Sequence, residues 1–236
     1  MDVTQYKYKT ELHLHTSPAS GCSEVSVQDA VEIYSRLGYH SVVLTNHFYP
    51  GMRFLEDKAK CIESYLEDYD LAVKLGQKYG INVILGCEMR FTENTNDYLL
   101  FGIDKAFLDT AYESLGLGIA EFSKQFRNEE RMIIQAHPFR NGMTEVAAEY
   151  LDGIEGFNMH PGHNSRNGFA AKYAKEHGLL ITAGTDFHHY GHEGLSALLT
   201  KTVMKDSFDI VRVLKNGDYL LEISGSILVP YRANRF

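Results

Sequence analysis

Short apolar runs and amphipathic segments alternate along the whole chain. A one-sided helix is predicted over residues 26–37, because apolar residues recur there at the i, i+3, i+4 and i+7 positions. Further helices are predicted at residues 59–80, 146–150, 170–177 and 208–214. The apolar runs between them predict strands at residues 10–14, 41–45, 82–86, 98–102, 132–135, 153–157, 179–183 and 197–203.

This alternation predicts βαβ units and therefore a mainly parallel sheet in an α/β fold. No Ser/Gly tract, charge block or internal repeat interrupts the chain, so we expect residues 1–236 to form a single domain. The pattern alone is compatible with a sheet that closes into a barrel and with one that stays open.

Polar side chains follow the predicted strands at the points where the strands end. Because the carboxyl ends of parallel strands meet at one rim of such a fold, these side chains are expected to converge there. They are His13, His15, His47, Glu88, His137, Asn158, His160, Asp186 and His188.

In the His13-x-His15 pair, both imidazoles point to the same face of the strand, since strand side chains alternate with a period of two. Sharing a divalent cation would remove the repulsion between two protonated rings. Imidazole and carboxylate ligands without thiolates suit zinc, iron, manganese or nickel and do not select among them. The sequence therefore predicts a metal site at this rim.

Composition narrows the functional classes. The 236 residues carry 23 basic and 31 acidic side chains, for a net charge of −8. No basic run stands out, which makes binding to a nucleic acid polymer unlikely. No apolar stretch approaches the roughly 18 residues of a membrane span, and residues 1–11 are too polar for a signal peptide. We therefore expect no contact with membranes. Three cysteines without a C-x-x-C pair favour a reduced, cytoplasmic protein.

Six short motifs occur in the order found in one known family, and the sequence resembles the PHP (polymerase and histidinol phosphatase) superfamily. The resemblance implies a distorted (β/α)7 TIM-like barrel with two or three divalent metal ions, such as zinc, manganese or iron, at its C-terminal mouth. It also implies hydrolysis of phosphoesters. The motifs are His13-Leu14-His15-Thr16, Thr45-Asn46-His47, Gly86-Cys87-Glu88, Ala136-His137-Pro138-Phe139, Gly153-Ile154-Glu155-Gly156-Phe157-Asn158 and Gly184-Thr185-Asp186-Phe187-His188.

The resemblance also implies which side chains hold each metal. One metal would be held by two histidines and two acids, the second would share one of those acids with a further histidine, and the third would be held by two more histidines. In that order, these ligands are His13, His15, Glu88 and Asp186 for the first metal, Glu88 and His137 for the second, and His47 and His188 for the third.

Two departures from the family pattern affect the second and third metals. Ser20 stands where family members often place an Asp or His ligand, and Cys22 or Glu24 could substitute for it. Many members also supply a histidine for the second metal from the strand that follows the Glu, whereas no histidine lies between Glu88 and His137 here and Asp104 is the nearest candidate. We therefore expect two well-held metals and a weaker third.

The expected activity is hydrolysis of a small phosphomonoester, similar to histidinol phosphate or a nucleotide phosphate, by a hydroxide that bridges two metals. Arg140 and Arg166 are the predicted phosphate-binding residues, and His160, His163 or a metal-bound water would protonate the leaving group. Three alternatives remain: a protein phosphotyrosine phosphatase, an amidohydrolase-type hydrolase, and a catalytically silent metal-binding module. An amidohydrolase usually places a lysine at a strand end, and none stands there.

Overall fold

The structure is a computed structural model that describes residues 2–230, so residues 1 and 231–236 of the predicted domain lie outside the described part. Six α-helices lie within residues 2–230: α1 (Val27–Arg36), α2 (Lys58–Tyr79), α3 (Phe107–Ser114), α4 (Ile119–Phe126), α5 (Asn167–His177) and α6 (Ser207–Asn216). The strands of the same part are β1 (Tyr8–Leu14), β2 (Ser41–Leu44), β3 (His47–Phe48), β4 (Asn82–Leu85), β5 (Cys87–Arg90), β6 (Asp97–Phe101), β7 (Met132–Gln135), β8 (Gly153–Asn158), β9 (Leu180–Gly184), β10 (Ser196–Thr200), β11 (Leu220–Ile223) and β12 (Ser226–Leu228).

These strands form two six-stranded sheets, in the orders β12-β11-β10-β1-β2-β4 and β3-β5-β6-β7-β8-β9. The α/β class is confirmed, whereas the prediction of a mainly parallel sheet is wrong. Five strand pairs are parallel and five are antiparallel. Antiparallel neighbours need only a short connection, such as Ser224-Gly225 between β11 and β12, where both residues have positive φ. Closure of the two sheets into a barrel stays a prediction.

Several segments differ from the predicted elements, and strands β3, β11 and β12 are among the elements that were not predicted. Residues 146–150 form only a three-residue 3₁₀ turn, Ala148–Tyr150, that leads into β8. In contrast, helices α3 and α4 occupy a segment to which no element was assigned, and each buries one apolar face in the core. Neighbouring helices and strands therefore decide whether these short apolar patterns form helix.

Strand β1 positions the centre of the molecule. Its residues from Thr10 onward are buried, and successive side chains point to opposite faces. Leu12 packs into the apolar core, while Glu11, His13 and His15 share the other face. A strand that is apolar on one face and ionisable on the other must therefore find charged or cationic partners inside the fold.

The chain passes from the first sheet to the second at two strand breaks. Strand β2 ends at Leu44 and β3 begins at His47, while β4 ends at Leu85 and β5 begins at Cys87. At the second break, an added Cβ on Gly86 would lie 2.6 Å from Val43 Cγ1. The two breaks lie side by side and bring His47 and Glu88 into register on neighbouring strands.

None of the helices within residues 2–230 has both the length and the apolar composition needed to cross a lipid bilayer.

We expect Gly86→Ala to destabilise the protein by about 1–3 kcal/mol, because its methyl group would overpack the break between β4 and β5. The measurement is the free energy of unfolding from urea denaturation. Gly116→Ala is the matched control, since no atom lies within 4 Å of its added Cβ. The control should be neutral or stabilising by up to about 1 kcal/mol. Equal effects of the two substitutions would contradict this account of the break.

Candidate metal centre

The imidazoles of His13 and His15 converge at the end of β1. Their Nε2 atoms lie 3.0 Å apart, and both side chains are fully buried. Glu88 places one carboxylate oxygen 3.2 Å from His13 Nε2 and the other 3.3 Å from His15 Nε2. Asp186 Oδ1 lies 3.4 Å from His13 Nε2. Two nitrogens this close cannot both carry a hydrogen toward each other, so the pair requires a shared proton or a cation.

Glu155 fixes the orientation of His13 from behind. The Nδ1 atom of His13 lies 2.9 Å from Glu155 Oε1, and the other carboxylate oxygen accepts from His137 N–H and Asn158 Nδ2. Nδ1 therefore donates, which leaves the Nε2 lone pair of His13 facing His15, Glu88 and Asp186. We call these four residues and the neighbouring His47, Asp97, His137 and His188 the cluster. Glycine is required at position 184, because a Cβ there would lie 2.2 Å from Glu155 Oε1.

The cluster extends outward from this pair. His47 Nδ1 lies 2.8 Å from Glu88 Oε2, and the ring of His188 stacks on that of His15 with centroids 4.1 Å apart. Within the described residues, three groups of side chains bring their potential ligand atoms within 4.8 Å of one another. These groups are His13, His15 and Glu88; His15, His47 and His188; and His47, Glu88 and Asp97.

Charge coupling in this buried region is strong. Burial opposes protonation of His13, but the carboxylates of Glu155, Asp186 and Glu88 outweigh it and raise the pKa of His13 well above its usual value. Burial and the neighbouring imidazoles lower the pKa of His15. Without a bound cation, these surroundings therefore favour one excess proton on the pair of His13 and His15.

Two of the cluster residues have strained backbone conformations. His137 and Asp186 are not glycines, yet they have φ angles of +31° and +55°. Such left-handed conformations cost on the order of 1–3 kcal/mol and persist only when neighbouring contacts hold them. The His137 N–H bond to Glu155 is one such contact, and the 2.6 Å ion pair between Arg140 and Asp186 is another. The strain is retained where it aims ligand atoms at the cluster.

A cleft of about 230 Å³ opens above the cluster. Arg140 and Arg90 lie in its wall, and each pairs with an acid of the cluster: Arg140 with Asp186, and Arg90 with Asp97 in a bidentate pair at 2.7 Å. The lining residues are Cys22, His47, Arg90, Asp97, His137, Arg140, Met143, His160, His163, Asp186, His188 and His189.

The structure brings together all seven residues expected to hold metal, namely His13, His15, His47, Glu88, His137, Asp186 and His188. His160 and His163 line the cleft, and His160 Nδ1 accepts from Gly162 N–H, so a neutral His160 carries its hydrogen on Nε2. Arg166 is exposed instead, and its guanidinium donates to Phe139 O and Asn141 outside the lining of the cleft.

Sequence reasoning missed Asp97, Arg90 and Glu155. Asp97 begins β6, and because β6 runs antiparallel to β5, the start of this strand lies at the rim where the other strands end. Asp104 follows the far end of β6, where it is exposed and accepts from Phe107 N–H at the start of α3. For Glu155, an acid within an otherwise apolar strand was the available signal, since a buried carboxylate needs a partner.

The donor set fits divalent cations. Glu88 Oε2 is buried and makes no hydrogen bond, although His47 Nδ1 and His15 Nε2 lie close to it. His137 Nδ1 is also buried without a partner. Imidazoles and carboxylates around an unpartnered carboxylate oxygen are a suitable set for zinc, manganese or iron.

The fold and this cluster define an α/β protein whose histidines and acids could bind cations at the junction of two sheets. The chain belongs to the PHP domain family, whose model matches residues 11–226. No curated protein matches the chain.

Three solved structures share the fold. A two-domain protein from Bacteroides vulgatus that contains a predicted PHP-like metal-dependent phosphoesterase has a TM-score of 0.64 and 17% identity over 92% of this chain. The match spans 64% of that protein. A candidate metal-dependent phosphoesterase from Bifidobacterium adolescentis gives 0.52 and 14%, covering 88% of this chain and 96% of the other. An amidohydrolase from Chromobacterium violaceum, with bound sulfate and no metal, gives 0.53 and 16%, covering 78% and 89%.

We expect Cys22 to be the reactive cysteine of the cation-free protein. Burial opposes ionisation of this thiol, but hydrogen bonds with His188 and His47 lower its pKa to about 6. Burial raises the pKa of Cys61 and Cys87. Alkylation by iodoacetamide, followed by mass spectrometry, should label Cys22 at pH 7.4 and slow as the pH falls through about 6.

Added zinc should slow this labelling, since a cation held by His47 and His188 would cover the thiol. Cys22→Ser should remove the labelled site. If the rate of Cys22 labelling already falls near the ordinary thiol pKa of about 8.5 as the pH is lowered, the lowered pKa of Cys22 is contradicted.

Proposed function

We propose that this protein is a metal-dependent phosphoesterase that hydrolyses a small phosphomonoester. The observation that carries the proposal is the buried histidine–carboxylate cluster at the floor of a cleft whose walls present two arginines. The fold family and two of its structural relatives, both described as metal-dependent phosphoesterases, support it.

Charge explains why the cluster would need cations to receive a phosphate. Glu88, Asp97, Glu155 and Asp186 lie around the same site as Arg90 and Arg140, so the formal charge is −2 when the histidines are neutral, as cation binding requires. That charge repels an anionic substrate, whereas two divalent cations would change it to +2. Divalent cations bound by these side chains would supply Lewis acidity and an activated water for attack on phosphorus.

The chain's own residues perform the remaining tasks. Arg140 lies in the wall of the cleft and its buried Nε makes no hydrogen bond, so we assign this guanidinium to a phosphate oxygen. The pKa of His160 lies near 4, chiefly because of burial, so the ring is neutral at pH 7 and offers Nε2–H as a hydrogen-bond donor. We assign His160, with His163 beside it, the role of donating a hydrogen bond to the leaving-group oxygen.

The size of the cleft supports a small substrate. Its volume of about 230 Å³ lies below the 300–1,000 Å³ typical of pockets for drug-sized ligands. A phosphoryl group and a small part of the leaving group would fill it. Three free cysteines agree with a reducing compartment, and we place this activity in the cytoplasm.

Hydrolysis at carbon is the second candidate, because one structural relative is an amidohydrolase. The lining of the cleft includes no lysine that could bridge metals in the manner expected of that class. The absence of such a lysine from the lining favours phosphorus over carbon as the reacting centre.

We expect the protein supplied with manganese or zinc to hydrolyse p-nitrophenyl phosphate, and His13→Ala to lower that rate by more than about 100-fold, beyond the loss typical of an outer partner. His13→Ala should also reduce the bound metal measured by plasma mass spectrometry. His40→Ala is the matched control, since His40 lies just before β2 and contacts Tyr8 and Lys9 away from the cluster.

Full activity and metal content in His13→Ala would reject the proposal. Bound metal without hydrolysis of any member of a panel of phosphorylated metabolites would favour a catalytically silent module. Cleavage of an amide in place of a phosphoester would favour the amidohydrolase.

The two arginines predicted to bind phosphate should differ in how much their removal lowers kcat/KM. We expect Arg140→Ala to lower kcat/KM by at least about 100-fold, because it removes a charged donor from the cleft. Arg166→Ala should change kcat/KM by less than about tenfold, since this guanidinium acts only through the Phe139–Asn141 loop. Steady-state kinetics on p-nitrophenyl phosphate measures both. Equal losses would place Arg166 at the substrate as well.

A further inference from the structure

Ser20 occupies the position where the family resemblance suggests an Asp or His ligand, but its hydroxyl contacts a ligand ring instead. The side chain is fully buried. Its Oγ lies 3.1 Å from His15 Nδ1, 3.0 Å from His47 N and 2.9 Å from Asn46 Oδ1. One hydroxyl therefore has three partners, and the directions of these hydrogen bonds can be worked out.

The contact with Asn46 uses the only hydrogen of the Ser20 hydroxyl. Asn46 Oδ1 lies 2.7 Å from Thr16 N, and a backbone N–H can only donate, so the atom that faces it must be the amide oxygen. That same oxygen faces Ser20 Oγ. Because a carbonyl oxygen only accepts, the Ser20 hydroxyl donates to it.

The other two partners of Ser20 must then donate. His47 N–H is a fixed donor, and His15 Nδ1 must supply a hydrogen as well. The neutral ring of His15 therefore carries its hydrogen on Nδ1 and presents the Nε2 lone pair to the cluster. This is the nitrogen that lies 3.0 Å from His13 Nε2 and 3.3 Å from Glu88 Oε2.

Helix α2 anchors the far end of the same chain of hydrogen bonds. Asn46 Nδ2 donates to Thr16 Oγ1 at 3.0 Å, and Thr16 Oγ1 donates to Asp68 Oδ2 at 2.8 Å. Asp68 Oδ2 also accepts from Ala19 N–H, so this oxygen acts as an acceptor. Every hydrogen between α2 and the imidazole thus has one assigned direction.

We propose that Ser20 is a positioning residue, which fixes the tautomer of His15 so that Nε2 is ready to bind a cation, and that Ser20 is not itself a ligand. The proposal rests on the cation-binding part of the proposed function. It also distinguishes the two histidines of β1: His13 Nδ1 donates to the carboxylate of Glu155, whereas His15 Nδ1 donates to a neutral hydroxyl. A carboxylate partner makes an imidazole the stronger ligand, so His13 should hold the cation more tightly than His15.

The test compares zinc affinity and imidazole N–H signals in the wild type, Ser20→Ala and Ser23→Ala. Ser23 is the matched control, because it is buried in the same loop but contacts the backbone carbonyls of His15 and His188 at 3.3 Å, not a ring. Chelator competition gives the zinc dissociation constants. In Ser20→Ala we expect affinity to fall by about 10–100-fold. The slowly exchanging His15 Nδ1–H signal in the NMR spectrum of the zinc-loaded protein should disappear, and Ser23→Ala should keep both properties.

Unchanged zinc affinity and a persistent His15 signal in Ser20→Ala would overturn the proposal. Loss of one whole equivalent of zinc, with the remaining affinity unchanged, would make Ser20 a ligand and overturn it too. A wild type that binds no zinc would reject the proposed function as well, which separates the two failures. Should Ser20→Ala not fold, the wild-type spectrum decides: a hydrogen on Nδ1 that exchanges slowly supports the proposal, and a hydrogen on Nε2 or fast exchange at Nδ1 overturns it.

Discussion

Two imidazole nitrogens held 3.0 Å apart in a fully buried position are the constraint on which the rest of the structure depends. Their lone pairs converge because each neutral ring carries its one N–H on Nδ1 and donates it outward, His13 to Glu155 and His15 to Ser20. Such an arrangement is unfavourable unless positive charge lies between the rings. Glu88 and Asp186 reinforce this demand, since ionised carboxylates buried beside lone pairs also need a cation or protons.

The surroundings hold this arrangement through many directed contacts. Below the pair, Glu11 accepts hydrogen bonds from the backbone of His13 and Thr185 and from the hydroxyl of Tyr34, and burial raises the pKa of Glu11 to about 7. Arg140 ties Asp186 to the cleft wall. Preorganisation of this kind lets ligand atoms keep their positions before a cation arrives, which reduces the cost of binding it. The same contacts hold the backbone strain at Asp186.

Much of the cluster could be predicted because its members follow apolar strands in a recognisable order, and the helices at residues 59–80 and 208–214 are present as α2 and α6. The mixed sheets could not be predicted in this way, because local periodicity does not state which strands pair or in which direction. Asp97 was missed for this reason: its place at the rim depends on the antiparallel direction of β6. Asp104 was expected because it follows the carboxyl end of the predicted strand 98–102, but this end of β6 lies away from the rim.

The sequence by itself determined the alternation of strands and helices, the shared face of His13 and His15, and seven of the side chains that meet at the candidate metal centre. These properties follow from local backbone geometry, which nearby residues specify. Only the tertiary structure decided that Arg140 lies in the cleft while Arg166 turns toward the loop of Phe139, and that Ser20 contacts a ligand ring. Those outcomes depend on distances between residues far apart in the chain, and packing of the whole fold sets such distances.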